Sequence, residues 1–449
     1  MRTRSAKLAP LALAVLALGA LSGCTDDDDP APSGNRPEIG TIELQVMTFN
    51  VWIGGEAVDF GKVIEVIEAG GADIVGLQEA EAHTQEIADR LGWYADERQQ
   101  IISRFPLYAP PEGEGMYLYA QLAPGQVVAV GNTHLPSDPY GPTMVRDGEP
   151  LDAVLQNEAD TRMSALEPRL EAWSALAATG MPLFVTGDFN TPSHRDWTEH
   201  TTGLLPHMKY AVEWPVTKAM EDAGFVDTFR AAHPSPTTTP GRTWTYGYPY
   251  PRVLPGEVID RIDYVWATGA GDVIDSQVVG NEDTPGADIE VTPYPSDHRA
   301  VVSTVEVDPV EPPPFVSVDQ VRVERGQTVG ARYHAPGGLD TDRLVVVPEG
   351  GDASSGADGI MWLPPQEASF FGHVTFGSGT LDPGTYEVVL VTAGDAEVSR
   401  SRFWVVEPGA LPSVSTPTSI AAGEPIEVSW ADAPARKWDW VGIYPAGEI

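Results

Sequence analysis

Cysteine is nearly absent: the 449 residues contain one. A disulfide framework within the chain is therefore excluded, and so is a structural zinc site built from several thiolates. Positive charge is also scarce. Lys and Arg number 27 against 65 Asp and Glu, a formal net charge of -38. Duplex nucleic acid is held largely through Lys and Arg on its phosphates, and anionic membrane surfaces attract basic clusters. Beyond the first few residues the chain has no basic run, so both modes are disfavoured. Such acidity keeps a protein soluble. It also points to small substrates, or to a cation standing between the chain and an anionic one. Wholesale disorder is excluded in turn, because 42% hydrophobic and 8% aromatic residues supply a large core. The 41 Pro and 45 Gly favour strands, turns and loops over a helical bundle. The length suggests about three domains.

The first 23 residues read as an export signal. Arg2, Arg4 and Lys7 precede an apolar stretch, Leu8 to Leu21, shorter than the ~20 residues a spanning helix needs. The stretch ends in Leu21-Ser22-Gly23-Cys24, which resembles the bacterial lipobox. That resemblance implies a diacylglyceryl group on Cys24, which becomes the new N-terminus, and a lipid-anchored location at the bacterial cell envelope, facing outward or periplasmic, or secretion. Loss of the signal leaves 24 basic against 65 acidic residues, or -41. Residues 24–40, with Asp26 to Asp29 and a Pro-containing run, form an acidic tether expected to be disordered.

From residue 41 to 308, strand-like runs alternate with helical patterns. Ile42-Glu43-Leu44-Gln45-Val46 alternates in period two. Phe60, Val63, Ile64 and Ile67 fall on one helical face, stopped by Gly70-Gly71. Short buried strands are predicted at Ile74-Val75-Gly76-Leu77, Val127 to Val130 and Leu183-Phe184-Val185. Between the last two, Asp152 to Ala178 reads as helix with Leu166, Leu170 and Trp173 on one face, and Pro168 is expected to kink or split it. Val301 to Val307 alternates again. Residues 309–314 form a Pro-rich linker. After it the helical signal vanishes, and 315–408 reads as a β-sandwich module. Gly326, Tyr333, Asp342, Val346, Pro348 and Gly350 recur 97 residues later as Gly423, Trp430, Asp439, Ile443, Pro445 and Gly447. The constant offset implies a duplication, with 411–449 a partial second module.

Polar residues close several of the apolar strands. They lie in Met47-Thr48-Phe49-Asn50, Gly76-Leu77-Gln78-Glu79, Asn132-Thr133-His134-Leu135, Thr186-Gly187-Asp188-Phe189-Asn190 and Ser296-Asp297-His298, with Asp260-Arg261-Ile262-Asp263 between the last two. Strand ends let such side chains converge at one edge of a sheet. The result is an oxygen-rich site with two histidines and no thiol. Carboxylate and amide oxygens suit Mg²⁺, with Mn²⁺ or Ca²⁺ as alternatives. Histidine can stabilise charge on a phosphoryl oxygen or move protons. The sum is metal-assisted hydrolysis of a phosphoester by an in-line water.

These segments, in this order, resemble the endonuclease/exonuclease/phosphatase superfamily over residues 41 to 308. The superfamily includes deoxyribonuclease-type nucleases, abasic-site endonucleases, neutral sphingomyelinases and inositol polyphosphate 5-phosphatases. The resemblance implies a four-layer α/β sandwich, two packed mixed sheets flanked by helices. It implies that Glu79 is the principal metal-ligating glutamate, with Asn50 near metal and phosphate and Asp297 a second metal-side carboxylate. It gives His134 the scissile phosphate, Asp188 the nucleophilic water, and Asn190 a neighbouring phosphate contact. His298 takes the acid/base or phosphate-stabilising role, and Asp263 orients it. Ile102-Ser103-Arg104-Phe105-Pro106 resembles a further family strand, with Arg104 structural. Tyr140 and Trp244 are candidates for lining the cleft. His83, His194, His200, His207 and His233 match no motif and are expected at the surface.

The substrate stays open: a small phosphodiester or phosphomonoester suits the charge best. A nuclease would need a local cationic patch, for which Arg104, Arg146, Arg252 and Arg261 are candidates. A sphingomyelinase would need an exposed apolar hairpin, and none is clear. The alternative from another class is a catalytically inert surface binding protein, suggested by the repeated modules. The run Trp438-Asp439-Trp440-Val441-Gly442-Ile443-Tyr444 resembles a strand of SKICH-type modules, which recruit partners to membranes.

Overall fold

The computed structural model describes residues 39–282, 284–335, 342–355, 357–363, 371–392, 394–433 and 441–443. The export signal with Cys24, most of the acidic tether, and Asp439, Pro445 and Gly447 of the second repeat lie outside them. No helix among the described residues is long and apolar enough to cross a membrane.

The fold is mixed α+β. Seven strands form one sheet, in spatial order Ile289–Glu290, Val273–Gly280, Ala300–Val307, Ile42–Asn50, Ile74–Gln78, Ile101–Ser103 and Tyr94–Asp96. Six form a second, in order Leu107–Tyr108, Leu118–Ala123, Gln126–His134, Leu183–Asp188, Asp263–Thr268 and Val226–Asp227. Both are mixed. Ile42–Asn50 runs parallel to Ile74–Gln78 and antiparallel to Ala300–Val307. Leu183–Asp188 runs parallel to Gln126–His134 and antiparallel to Asp263–Thr268.

Period-two alternation explains the layering. Leu44, Val46, Ile74, Val128, Val130, Phe184, Val265 and Val305 meet in one core between the sheets. Met47, Phe49, Val75 and Leu77, on the opposite face of the first sheet, pack with Val63, Val66 and Ile67 of the Phe60–Gly70 helix. The outer face of the second sheet packs on Leu166, Trp173 and Leu176. The result is four layers.

Pro168 does not split its helix: Ser164–Ala177 runs through it. The irregularity lies upstream, a π turn over Ala159–Met163 that follows the Leu151–Glu158 helix. A proline ring crowds the carbonyl four residues back, here that of Ser164, and the wider winding ends directly before it.

On the inner row of Ile74–Gln78 the middle position, Gly76, carries no side chain. A Cβ on Gly76 would lie 1.8 Å from Thr186 Oγ1 and 2.6 Å from Asn132 Oδ1. Asn132 Oδ1 accepts from Gln78 Nε2 at 2.8 Å and from Thr186 Oγ1 at 2.9 Å, a polar seam between the two sheets. Gly76→Ala is therefore expected to cost about 1–3 kcal/mol by overpacking. Urea unfolding measures this, and an unchanged midpoint would refute the close approach.

Beyond residue 308, Val310 bonds back to Val127 through both backbone groups, at 2.8 and 3.0 Å. Phe315 is buried against Tyr108 and Tyr119 of the second sheet. A three-stranded sheet (Phe315–Val318, Thr328–His334, Phe371–Gly377) and a five-stranded one (Arg322–Glu324, Ala396–Val406, Gly384–Thr392, Arg343–Pro348, Met361–Leu363) enclose a core that includes Val329, Tyr333, Leu344 and Phe403. Further on, Ser413–Ser415 pairs antiparallel with Ser429–Ala431, Val414 opposite Trp430. In the preceding module Val316 stands opposite Tyr333 in the same kind of pair.

Candidate active site

The inner rows that build the inter-sheet core end in polar residues. Leu44, Val46, Thr48 and Asn50 share one face of their strand; so do Phe184, Thr186 and Asp188, and Val265 and Asp263. Strand pairing then fixes the neighbours. His134 stands opposite Asp188 across the parallel pair, and Asp188 opposite Asp263 across the antiparallel one. In the other sheet Asn50 pairs with Gln78, so Glu79 follows at once. Asp297 and His298 arrive on the turn into Ala300–Val307. Ser296 pins that turn: its Oγ donates to the Asn50 carbonyl at 2.7 Å and accepts the His298 N–H at 3.0 Å.

Asp188 is the hub. Its Oδ1 accepts the Asn190 N–H at 2.9 Å and its Oδ2 the Asn50 amide at 3.0 Å. His134 Nε2 and His298 Nε2 stand 3.5 and 3.6 Å from the same Oδ2. His298 Nδ1 lies 3.0 and 3.2 Å from the two Asp263 oxygens. Nδ1 thus carries a proton, and Nε2 is aimed at Asp188. Asp188, Asp263 and His298 are buried; His134 is more open, its side chain 38% exposed.

Glu79 sits on a left-handed turn, φ 55°. Its carboxylate accepts from Asn50 Nδ2 at 3.1 Å and from the Ile53 N–H at 3.0 Å. Asp297 Oδ2 accepts from Trp244 Nε1 at 3.1 Å, whereas its Oδ1 is buried and has no hydrogen-bond partner. Asn190 donates its amide to the Leu135 carbonyl at 3.0 Å, tying the end of one strand to the loop after His134. Arg162, fully buried beside Glu158, donates to the Ser137 and Pro139 carbonyls of that loop.

Burial alone would depress the His298 pKa. The carboxylates of Asp263, Asp188 and Asp297 more than offset this and hold the imidazolium well above its ordinary range. Burial raises the Asp297 pKa, and the nearby charge of Glu79 adds to it, against the opposing pull of His298. A buried carboxylate oxygen with no donor is expensive, so Asp297 Oδ1 and Glu79 suit a hard divalent cation. Ligand atoms of Asp188, Asp263 and His298 also lie within 4.8 Å of one another. His298 and Asp263 already bond to each other, and Asp188 already accepts from Asn50 and Asn190, which leaves the open oxygen on Asp297.

All eight residues singled out for catalysis or metal binding therefore gather at one end of the sheet pair. The sequence reading needs correction elsewhere. His207 is buried, ring against Trp197, with Nε2 3.4 Å from Asp260, and His194 is mostly buried on Glu221. The candidate cationic patch does not form. Arg261 is buried between Asp196 and Asp227, while Arg104 and Arg146 pair with Asp73 and Asp147. Arg261 has no ion pair with Asp263, whose carboxylate faces His298 Nδ1. Ser296, Thr243 and Arg162 were missed as supports. Ser296 sits inside a quoted motif, but Thr243, whose Oγ1 accepts the Asp263 N–H at 3.2 Å, carries no sequence signal.

Carboxylates, an amide and two histidines at the edge of paired mixed sheets are the equipment of a metal-dependent phosphoric ester hydrolase. The comparison with known proteins agrees. Residues 47–298 match the Endonuclease/Exonuclease/phosphatase family, and the chain belongs to that family. It is 30% identical over 287 residues to an uncharacterized Caenorhabditis elegans protein, F14F9.5, a match spanning 58% of this chain and 90% of that one. Among solved structures, D. rerio TDP2 complexed with single-strand DNA product is 17% identical with a TM-score of 0.36, over 59% of this chain and 98% of that one. An AP endonuclease from Archaeoglobus fulgidus is 21% identical with a TM-score of 0.35, over 58% and 98%.

Proposed function

We propose that the chain is an exported, Mg²⁺-dependent phosphoesterase that hydrolyses a phosphodiester or phosphomonoester by in-line attack of water. The observation that carries this reading is the buried, partnerless Asp297 Oδ1 beside Glu79, across from Asp188 and the Asp263-bonded His298, whose Nε2 stands 3.6 Å from Asp188 Oδ2.

In this reading Asp188 Oδ2 orients the water and takes its proton as the water oxygen bonds to phosphorus. The phosphorus–oxygen bond to the leaving group breaks, and the leaving oxygen acquires its proton from solvent. His298, held as imidazolium by Asp263, and the more exposed His134 donate to the non-bridging oxygens. Asn190 braces the loop that follows His134. A divalent cation, held by Glu79 and Asp297 with the Asn50 carboxamide beside them, would supply charge neutralisation to the phosphoryl group and the leaving oxygen.

The test is hydrolysis by the mature protein with Mg²⁺ or Mn²⁺ of plasmid DNA, RNA, sphingomyelin, inositol phosphates and bis-p-nitrophenyl phosphate. Turnover that disappears with EDTA and returns with the ion is expected. If none is cleaved, the binding-protein reading takes its place.

Export by way of a lipidated Cys24 belongs to the same proposal and rests on the lipobox-like ending of the apolar stretch. Mass spectrometry of the N-terminal peptide is expected to find diacylglyceryl-modified Cys24 at the mature start. An unmodified residue there would end the claim.

A further inference from the structure

Thr243, Trp244 and Thr245 stitch the segment that carries Asp263 to the one that carries Asp297 and His298. Thr243 Oγ1 accepts the Asp263 N–H at 3.2 Å, and its carbonyl accepts the Arg299 N–H at 2.9 Å. Thr245 Oγ1 donates to the Asp297 carbonyl at 3.1 Å. Trp244, between them, donates its backbone N–H to the Asp260 carbonyl at 3.0 Å. Its Nε1 donates to Asp297 Oδ2 at 3.1 Å. The indole has its own supports: Tyr140 meets it edge to face with centroids 5.4 Å apart, and Tyr248 does so at 6.3 Å. The donor that reaches Asp297 is thus fixed at both backbone and ring.

The two Asp297 oxygens are therefore unlike. Oδ2 is occupied by the indole, whereas Oδ1 is buried with no partner. An oxygen that already accepts a hydrogen bond is the weaker metal ligand, so this carboxylate offers a cation one good oxygen and not a chelating pair. Glu79 is held in a similar way, with Asn50 Nδ2 on Oε1 and the Ile53 N–H on Oε2. The distinction decides which ion fits. Ca²⁺ has a large, flexible shell that admits chelating carboxylates, whereas Mg²⁺ demands a small octahedral one and keeps several waters. We propose that Trp244 is a positioning residue for the cation: its N–H holds Asp297 Oδ2, presents Oδ1 alone and so favours Mg²⁺ over Ca²⁺. The inference rests on the reading of Asp297 as a metal ligand. It goes further by assigning the choice of ion to a side chain outside the ligand set.

The test is calorimetric titration of the mature full-length protein, stripped with EDTA, using Mg²⁺ alone and Ca²⁺ alone. Trp244→Phe keeps a ring and loses the donor. It is expected to weaken Mg²⁺ binding about tenfold or more. Ca²⁺ binding is expected to weaken much less, because the freed Oδ2 lets the larger ion chelate. The ratio of Mg²⁺ to Ca²⁺ affinity therefore falls. Lost packing by itself would weaken both ions alike, so an unaltered ratio overturns the proposal. If Trp244→Phe does not fold, Trp244→Tyr replaces it. A spectroscopic readout needs no variant. The chain has 12 Trp, and at least one indole N–H resonance of the wild type is expected to move as Mg²⁺ saturates the site. A spectrum in which none moves also overturns the proposal.

Asp297→Asn separates this inference from the reading beneath it. It is expected to weaken Mg²⁺ binding, and adding Trp244→Phe to it is expected to change the affinity less than about twofold, because the two act through one bond. If Asp297→Asn leaves Mg²⁺ affinity unaltered, or the wild type binds no Mg²⁺, Asp297 is no ligand and both readings fall. If Asp297→Asn weakens Mg²⁺ binding and Trp244→Phe does not, only the role of Trp244 falls.

Discussion

Asp188→Asn is expected to lower kcat for phosphodiester cleavage by about 10³–10⁴-fold while leaving the circular dichroism spectrum unaltered. The expectation follows from how many groups converge on this one carboxylate. Oδ2 faces the Asn50 amide at 3.0 Å and the Nε2 atoms of both histidines at 3.5 and 3.6 Å. An asparagine nitrogen placed there would meet another amide N–H, and an asparagine oxygen has no charge with which to take a proton from water. The fold should survive because Asn keeps the shape and one acceptor. That acceptor is needed for the Asn190 N–H at 2.9 Å. A loss smaller than about tenfold would remove Asp188 from the role of base. The same variant with EDTA and Mn²⁺ titrations separates lost proton transfer from lost metal.

The second large effect is expected at Asp263. Asp263→Asn should reduce kcat by about 10²-fold or more and move the alkaline fall of activity to lower pH. Asp263 heads the carboxylates that raise the His298 pKa. Free imidazole loses its proton near pH ~6.5, and the folded protein keeps the imidazolium above that. A group whose folded pKa is raised adds stability below its unfolded pKa, and that contribution fades as pH climbs through the folded value. Wild-type activity should therefore persist past neutrality and then fall as His298 deprotonates. Without the Asp263 charge that fall comes earlier. Superimposable pH profiles for the two proteins would mean that Asp263 is a plain structural partner.

Much of this site was legible because its parts obey period two. A strand that alternates Leu44, Val46, Thr48 and Asn50 has to present Asn50 in line with the core residues before it, and the same holds for Phe184, Thr186 and Asp188. The six motifs could be found one at a time in the chain. What period two cannot supply is the register between strands. His134, Asp188 and Asp263 are separated in sequence by 54 and 75 residues, and only the pairing of their three strands sets them side by side. Supports with no motif were invisible for the same reason. Thr243 serves Asp263 through backbone bonds, and Arg162 reaches the loop after His134 from inside a π turn.

Charge shows the division most plainly. Composition alone determined that the chain is strongly acidic, has too few thiols for a zinc or disulfide scaffold, and carries oxygen ligands suited to a hard cation. It also suggested that four arginines would form any cationic patch, and there it failed, because an arginine's neighbours are a property of packing. Arg261 spends its charge on two buried aspartates. Asp297 instead keeps one buried carboxylate oxygen that no donor reaches. Residue types and local periodicity are written along the chain; which charges are cancelled and which stay open is set by contacts between residues far apart in it, and those exist only once the sheets have closed on each other.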